Sequence, residues 1–86
     1  MTSAIVTHNV GQENGVHMRV AGAISEFASK YQGEIIIVNK ENNYQANAKS
    51  ILNLLLLEIK KGQTILIKVK GTNPIQTIDK IKKIVC

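Results

Sequence analysis

The chain has 86 residues, 44% of them apolar, with one proline and six glycines, which is the composition of one small folded domain rather than of a disordered tail or a multidomain protein. Its densest apolar run, residues 51–57, is far shorter than the ~20 residues a bilayer-spanning helix needs, and no basic residue precedes the apolar positions of Met1 to Val10. Neither a membrane span nor a secretory signal is expected, and the cytoplasm is the expected compartment. The net charge of +5 is unevenly placed: residues 59–86 hold seven lysines against one acid, Asp79, whereas residues 1–58 hold four bases against five acids.

A basic half raises nucleic acid as a partner, but stacking aromatics are confined to Phe27, Tyr31 and Tyr44, so the lysines read as a solvated face. Cys86 is the single cysteine and leaves no partner for an intramolecular disulfide or a thiolate cluster. His8 and His17 stand outside any metal-ligand spacing, and neither a metal nor a cofactor is expected.

In chain order, Ala4 to Val10 is a short β-prone run that ends in the turn-rich stretch 11–15. Val20, Ile24, Phe27, Ala28 and Tyr31 then recur at helical spacing, with Gly33 as a stop, and predict a helix starting at or near His17. Glu34 to Asn39 predicts a strand buried on both faces or nearly so, paired in a hairpin with a second strand at Tyr44 to Ala48. Ser50 is placed to cap a short helix carrying Ile51 to Leu57, with Lys61-Gly62 as its exit. Residues 63–70 alternate as a strand. Asn73 as N-cap and Pro74 at the first helical position open a last helix whose buried stripe is read as Ile75, Ile78, Ile81 and Val85, with Asp79, Lys82 and Lys83 supporting its outer face. The order β-α-β-β-α-β-α predicts an open-faced α+β sandwich, a four-stranded sheet covered on one face by three helices.

The segment Asn14-Gly15-Val16-His17-Met18-Arg19-Val20-Ala21 puts a histidine where a loop enters a helix. Free backbone N–H groups and the positive end of the helix dipole make such a point favourable to anions. A neutral imidazole there keeps a nucleophilic nitrogen, and Arg19 is placed to neutralise a phosphoryl group carried on it. No serine or cysteine triad and no spaced acid partner accompany it. The chemistry suggested is acceptance and donation of a phosphoryl group, in competition with a plain helix-capping role for His17.

That segment resembles the active-site stretch of the HPr family, the histidine-containing phosphocarriers of the bacterial sugar phosphotransferase system, in which glycine, aliphatic, histidine, small residue, arginine, proline and alanine follow in order. Ala48-Lys49-Ser50-Ile51-Leu52 and the later Lys61-Gly62 resemble the family's regulatory serine helix and its exit. The resemblance covers residues 1–86 as one domain and implies an open-faced β-sandwich with a four-stranded antiparallel sheet. It implies a phosphocarrier rather than a stand-alone enzyme. His17 would accept phosphate from phosphorylated Enzyme I and pass it to sugar-specific IIA domains, with Arg19 stabilising the phosphorylated state. Ser50 would be the target of an HPr kinase/phosphorylase, with a catabolite-control transcription factor as a further partner. Met18, Val20, Ile51, Leu52 and Leu55 would form an apolar docking patch framed by Arg19 and Lys49, and a soluble monomer suits such a shuttle.

Three departures from the family pattern stand out: Val20 in the place of proline, Met18 beside the histidine where a smaller residue is usual, and Glu58 where glycine is common. They leave open a regulatory paralogue acting through Ser50. A small basic nucleic-acid module with the same element order is a third reading, against which stands the absence of aromatics from residues 35–38 and 63–69.

Overall fold

In the computed structural model, which describes residues 2–86, the chain forms β1 (Ser3–Asn9), α1 (Met18–Ser29), β2 (Gly33–Asn39), β3 (Tyr44–Asn47), α2 (Ile51–Leu56), β4 (Thr64–Gly71) and α3 (Pro74–Val85). The strands make one antiparallel sheet in the order β1-β4-β2-β3. The last long strand lies in the middle, and the β2–β3 hairpin forms as expected. No helix of the described residues is long and apolar enough to cross a membrane.

Alternation along the strands sorts residues to two different faces. Ile35 and Ile37 of β2, Ala46 of β3 and Ile65, Ile67 and Val69 of β4 point to the helices and are buried. They meet Ala21, Ile24 and Ala28 of α1, Leu54 of α2 and Ile78, Ile81 and Val85 of α3 in one core. The opposite face is open: Ile5, Lys68 and Ile36 stand side by side in the register of β1, β4 and β2, with Ile5 exposed and Ile36 half-buried. The expectation that β2 is buried on both faces therefore holds on the far side only at Val38. All three helices lie on one face, as the element order predicts.

Three local expectations are corrected, and a fourth, Asn73 as N-cap before Pro74, holds in position. α2 stops at Leu56, with Leu57 as C-cap, because Glu58 turns the backbone left-handed at φ 51, well before Lys61-Gly62. Ile75 is 57% exposed; the buried stripe of α3 is Pro74, Thr77, Ile78, Ile81 and Val85, since a helix entered at Pro74 turns Ile75 outward. Asn73 occupies the N-cap position at φ 49 but its side chain makes no capping bond; Thr77 instead returns its N–H and hydroxyl to the Asn73 carbonyl at 3.0 and 2.9 Å. Finally, the ion pairs among the described residues are Lys30–Glu26 and Lys61–Glu13, so Asp79 gains no partner from Lys82 or Lys83.

Candidate functional site

His17 is the N-cap of α1, in extended backbone at φ −91 and ψ −176. Its carbonyl accepts the Ala21 N–H at 2.8 Å, which starts the helix ladder. Its Nδ1 accepts the Arg19 backbone N–H at 3.3 Å. In the neutral ring this places the lone pair on Nδ1 and the proton on Nε2. The reactive lone pair thus faces the free N–H groups of the first turn, where a negative group is stabilised by the helix dipole. No acidic side chain sits in that first turn to compete.

The preceding loop fixes this geometry. Gly15 is left-handed at φ 64, and a Cβ there would overlap the Ile59 carbonyl; only glycine reconciles the turn with that approach. The same carbonyl accepts the Val16 N–H at 3.0 Å, and Val16 is buried. Lys61 meets Glu13 at 3.0 Å across the exposed flank, an ion pair of small energetic weight. The segment after α2 is in turn held by Asn39, fully buried, whose side-chain N–H donates to the Leu57 carbonyl at 2.8 Å. Gln63 accepts the Lys60 N–H at 2.8 Å. The histidine is thus carried on a loop clamped to the segment after α2 by the backbone bond between Val16 and Ile59.

Arg19 is exposed and its guanidinium makes no ion pair among the described residues. Ser50 caps α2, its Oγ accepting the Asn53 N–H at 3.2 Å, and the carbonyl of Lys49 accepts the Ser25 hydroxyl at 2.8 Å. That bond ties the start of α2 to α1. Met18, Ile51 and Leu52 are exposed and Leu55 is half-buried, so these four, with exposed Arg19 and Lys49, share the surface around the two packed helices. Val20 does not belong to it. At 3% exposure it is a core residue, because position 20 falls on the inner face with Ile24, and its place in a docking patch is withdrawn. The valine that replaces a proline therefore contributes packing.

Sequence reasoning missed Tyr44 on this surface and left Leu56 open between core and interface. Tyr44 and Leu56 are 60% and 66% exposed and line a shallow groove with Asn53 and Gln45 over buried Leu57. The signal was the spacing of Leu56 from Leu52, one turn apart; Tyr44 becomes a neighbour only once β3 pairs with β2. His8, the other histidine, lies on β1, the edge of the sheet opposite β3. Burial first, and then the charge of Lys82, hold its ring below the ordinary value near 6.5, and its buried Nε2 has no hydrogen-bond partner. No group of three or more potential metal ligands occurs among the described residues.

A small antiparallel open-faced sandwich whose first helix is capped by an accessible histidine beside an unpaired arginine defines a class of protein, the histidine phosphocarriers. The chain belongs to the HPr family: the family model described as "PTS HPr component phosphorylation site" matches residues 6–86. "Phosphocarrier protein HPr" of Mycoplasma capricolum subsp. capricolum is 38% identical over 81 residues, covering 94% of this chain and 84% of its own. "Phosphocarrier protein NPr" of Shewanella violacea is 39% identical over 67 residues, 78% of this chain and 71% of its own. The crystal structure of a phosphocarrier protein HPr from Bacillus anthracis superposes with a TM-score of 0.89 at 23% identity, covering 100% of both chains, which speaks for the fold.

Proposed function

We propose that this chain is a phosphocarrier that accepts a phosphoryl group on His17 from phosphorylated Enzyme I and donates it to IIA domains of a sugar phosphotransferase system. The observation that carries the reading is the orientation of Nδ1 toward the Arg19 N–H at the start of α1. In the forward step the Nδ1 lone pair forms a bond to phosphorus as the bond to the donor's atom breaks, with donor and acceptor in line. The backbone N–H that Nδ1 holds in the free protein is then available to a phosphoryl oxygen, and Arg19 adds a mobile positive charge. Transfer exchanges the Arg19 N–H on Nδ1 for phosphorus, while the N–H groups that then receive the phosphoryl oxygens are already placed. The return step is the same in reverse, with a IIA domain in place of the donor. Such a shuttle works as a cytoplasmic monomer, presenting one face to successive partners.

Met18 and Leu52 supply apolar contact beside the histidine, and Arg19 and Lys49 favour an acidic partner surface. Ser50 supports a second, compatible reading. Its hydroxyl stands beside exposed Ile51 and Leu52, so phosphorylation by an HPr kinase/phosphorylase would put a charge of about −1.5 to −2 on the docking face. That charge would repel acidic phosphotransfer partners and create a surface for a catabolite-control transcription factor.

Phosphorus NMR after incubation with phosphoenolpyruvate and Enzyme I tests the main reading. The expected result is an acid-labile phosphohistidine signal that is absent from His17→Ala. A His17→Ala protein that labels as well as wild type would sink the proposal, and labelling by ATP and the kinase confined to Ser50 would favour the regulatory reading.

A further inference from the structure

We infer that the cleft between the end of α1 and the start of α3 binds a mononucleotide, taking the base against Phe27 and Tyr31 and the phosphate between Lys30 and Lys80. The site lies away from the phosphotransfer residues and goes beyond the carrier reading. α1 carries 12 residues between the His17 cap and Lys30, and at about 1.5 Å of rise per residue the two ends stand about 20 Å apart. A ligand in the cleft leaves the histidine uncovered.

The walls of the cleft are aromatic and already placed. It encloses about 570 Å³, within the range of about 300 to 1,000 Å³ found for small-molecule sites. Of the three aromatic side chains in the sequence, two line it. Phe27 and Tyr31, one helical turn apart, pack on the core and stay half-buried, so that part of each ring faces the cleft. The Tyr31 hydroxyl donates to the Thr72 carbonyl at 2.6 Å, and the ring lies so close to Gly33 and Gly71 that a Cβ on either glycine would overlap it. A ring locked in this way loses no further freedom when a ligand arrives, and any base offers it a flat face.

The rim supplies the charge. Lys30 comes from α1 and Lys80 from α3, and none of the described residues that line the cleft is acidic. Lys80 makes no ion pair among the described residues, and Lys30 meets only Glu26, at 3.8 Å with both side chains more than three-quarters exposed, a contact that yields readily to a phosphate. Surface lysines are ordinarily solvated; the aromatic walls between these two distinguish them from the rest of the basic half. Two cations without a counter-charge match the dianion of a phosphate monoester better than a single carboxylate. Asn73, at φ 49, makes no capping bond with its side chain, so its amide and that of Gln76 are available to the polar edge of a base. The rings select an aromatic group and the lysines a phosphate, and a nucleoside monophosphate joins the two.

Titration with AMP, GMP, CMP and UMP, followed through the backbone amide NMR signals, tests the inference. The expected result is saturable shifts at Phe27, Tyr31, Thr72 and Gln76 with a Kd of about 0.1 mM for at least one nucleotide. Lys30→Gln and Lys80→Gln, both at exposed positions, should each weaken binding several-fold, as should added salt. The nucleoside without its phosphate should bind about tenfold more weakly. His17→Ala should bind as wild type does, which keeps the result separate from the carrier reading. Absence of shifts with all four nucleotides at millimolar concentration overturns the inference. Shifts that inorganic phosphate reproduces with equal affinity reduce the cleft to an anion site and overturn it as well. So do shifts centred on Met18 and Arg19, which assign the phosphate to the start of α1, and cleft shifts that neither lysine variant weakens.

Discussion

Two helices of this phosphocarrier begin in the same way and are used differently. α1 is capped by His17 through Nδ1 at 3.3 Å, and α2 by Ser50 through Oγ at 3.2 Å. α1 has 12 residues and buries five of them; α2 has six and buries only Leu54. A long helix fixed by its core face survives the loss of its cap, so the capping atom is free to leave its N–H and carry a covalent group. A helix of under two turns gains most of its order from its ends, and its cap is a structural part first. In the proposed reading the chemistry sits on the dispensable cap, and the precision needed around it comes from the clamped loop that delivers His17.

The sharpest way to break this comparison is to disturb the clamp while leaving the histidine. Gly15→Ala places a Cβ against the Ile59 carbonyl in a left-handed backbone and is expected to cost about 2 to 4 kcal/mol. The urea-unfolding midpoint should fall accordingly, and phosphorylation should slow even where the protein is fully folded, because the Val16 bond to Ile59 is displaced with it. A variant that loses stability but transfers phosphate at the wild-type rate when folded would show that the loop does not position the ring.

A smaller effect compares the caps directly. Ser50→Ala is expected to destabilise by about 1 kcal/mol. His17→Ala should cost less, about 0.5 kcal/mol, since its capping bond is longer and α1 is anchored elsewhere. Phosphoryl acceptance should follow the opposite order, abolished in His17→Ala and retained in Ser50→Ala. Equal destabilisation by both, measured in urea, would mean that the two caps are mechanically alike and that helix length does not separate them.

Much of this was legible in the sequence. The alternation of residues 64–69 and the stripe from Val20 to Ala28 fix strand and helix, and both caps follow from a polar residue standing before an apolar run. What escaped had a common cause. Ile75 and Leu56 are apolar residues on helices with apolar neighbours, and period alone does not say which of them the tertiary contacts turn inward; Val20 lay on the periodic stripe, and only the family resemblance placed it in a docking patch. Val20 is inside because α1 leans its first turn on the core; Ile75 is outside because Pro74 sets where α3 begins. Tyr44 joins the site through strand pairing, a long-range contact that no local pattern carries. The clamp of Ile59 on Gly15 likewise spans more than forty residues, and the sequence offered only the glycine.

The smallest effect lies at the other end of α2 and has the opposite sign. Both C-caps, Lys30 of α1 and Leu57 of α2, are in ordinary helical backbone at φ −87 and φ −71, but the residue after the second, Glu58, is forced to φ 51, whereas Tyr31 after the first is not left-handed. Two penalties overlap at that glutamate. A side chain in the left-handed region costs about 1 kcal/mol, and a carboxylate beside the carbonyl end of a helix costs a few tenths more. Glu58→Gly removes both but makes the unfolded chain more flexible, which returns about 0.5 to 1 kcal/mol. A net gain of about 0.5 kcal/mol in the urea-unfolding free energy is expected. Glu58→Lys separates the causes, because it keeps the strained backbone and reverses the charge. If lysine gains as much as glycine, the cost is electrostatic; if only glycine gains, the backbone bears it, and the short helix ends on strain that its capped beginning must offset.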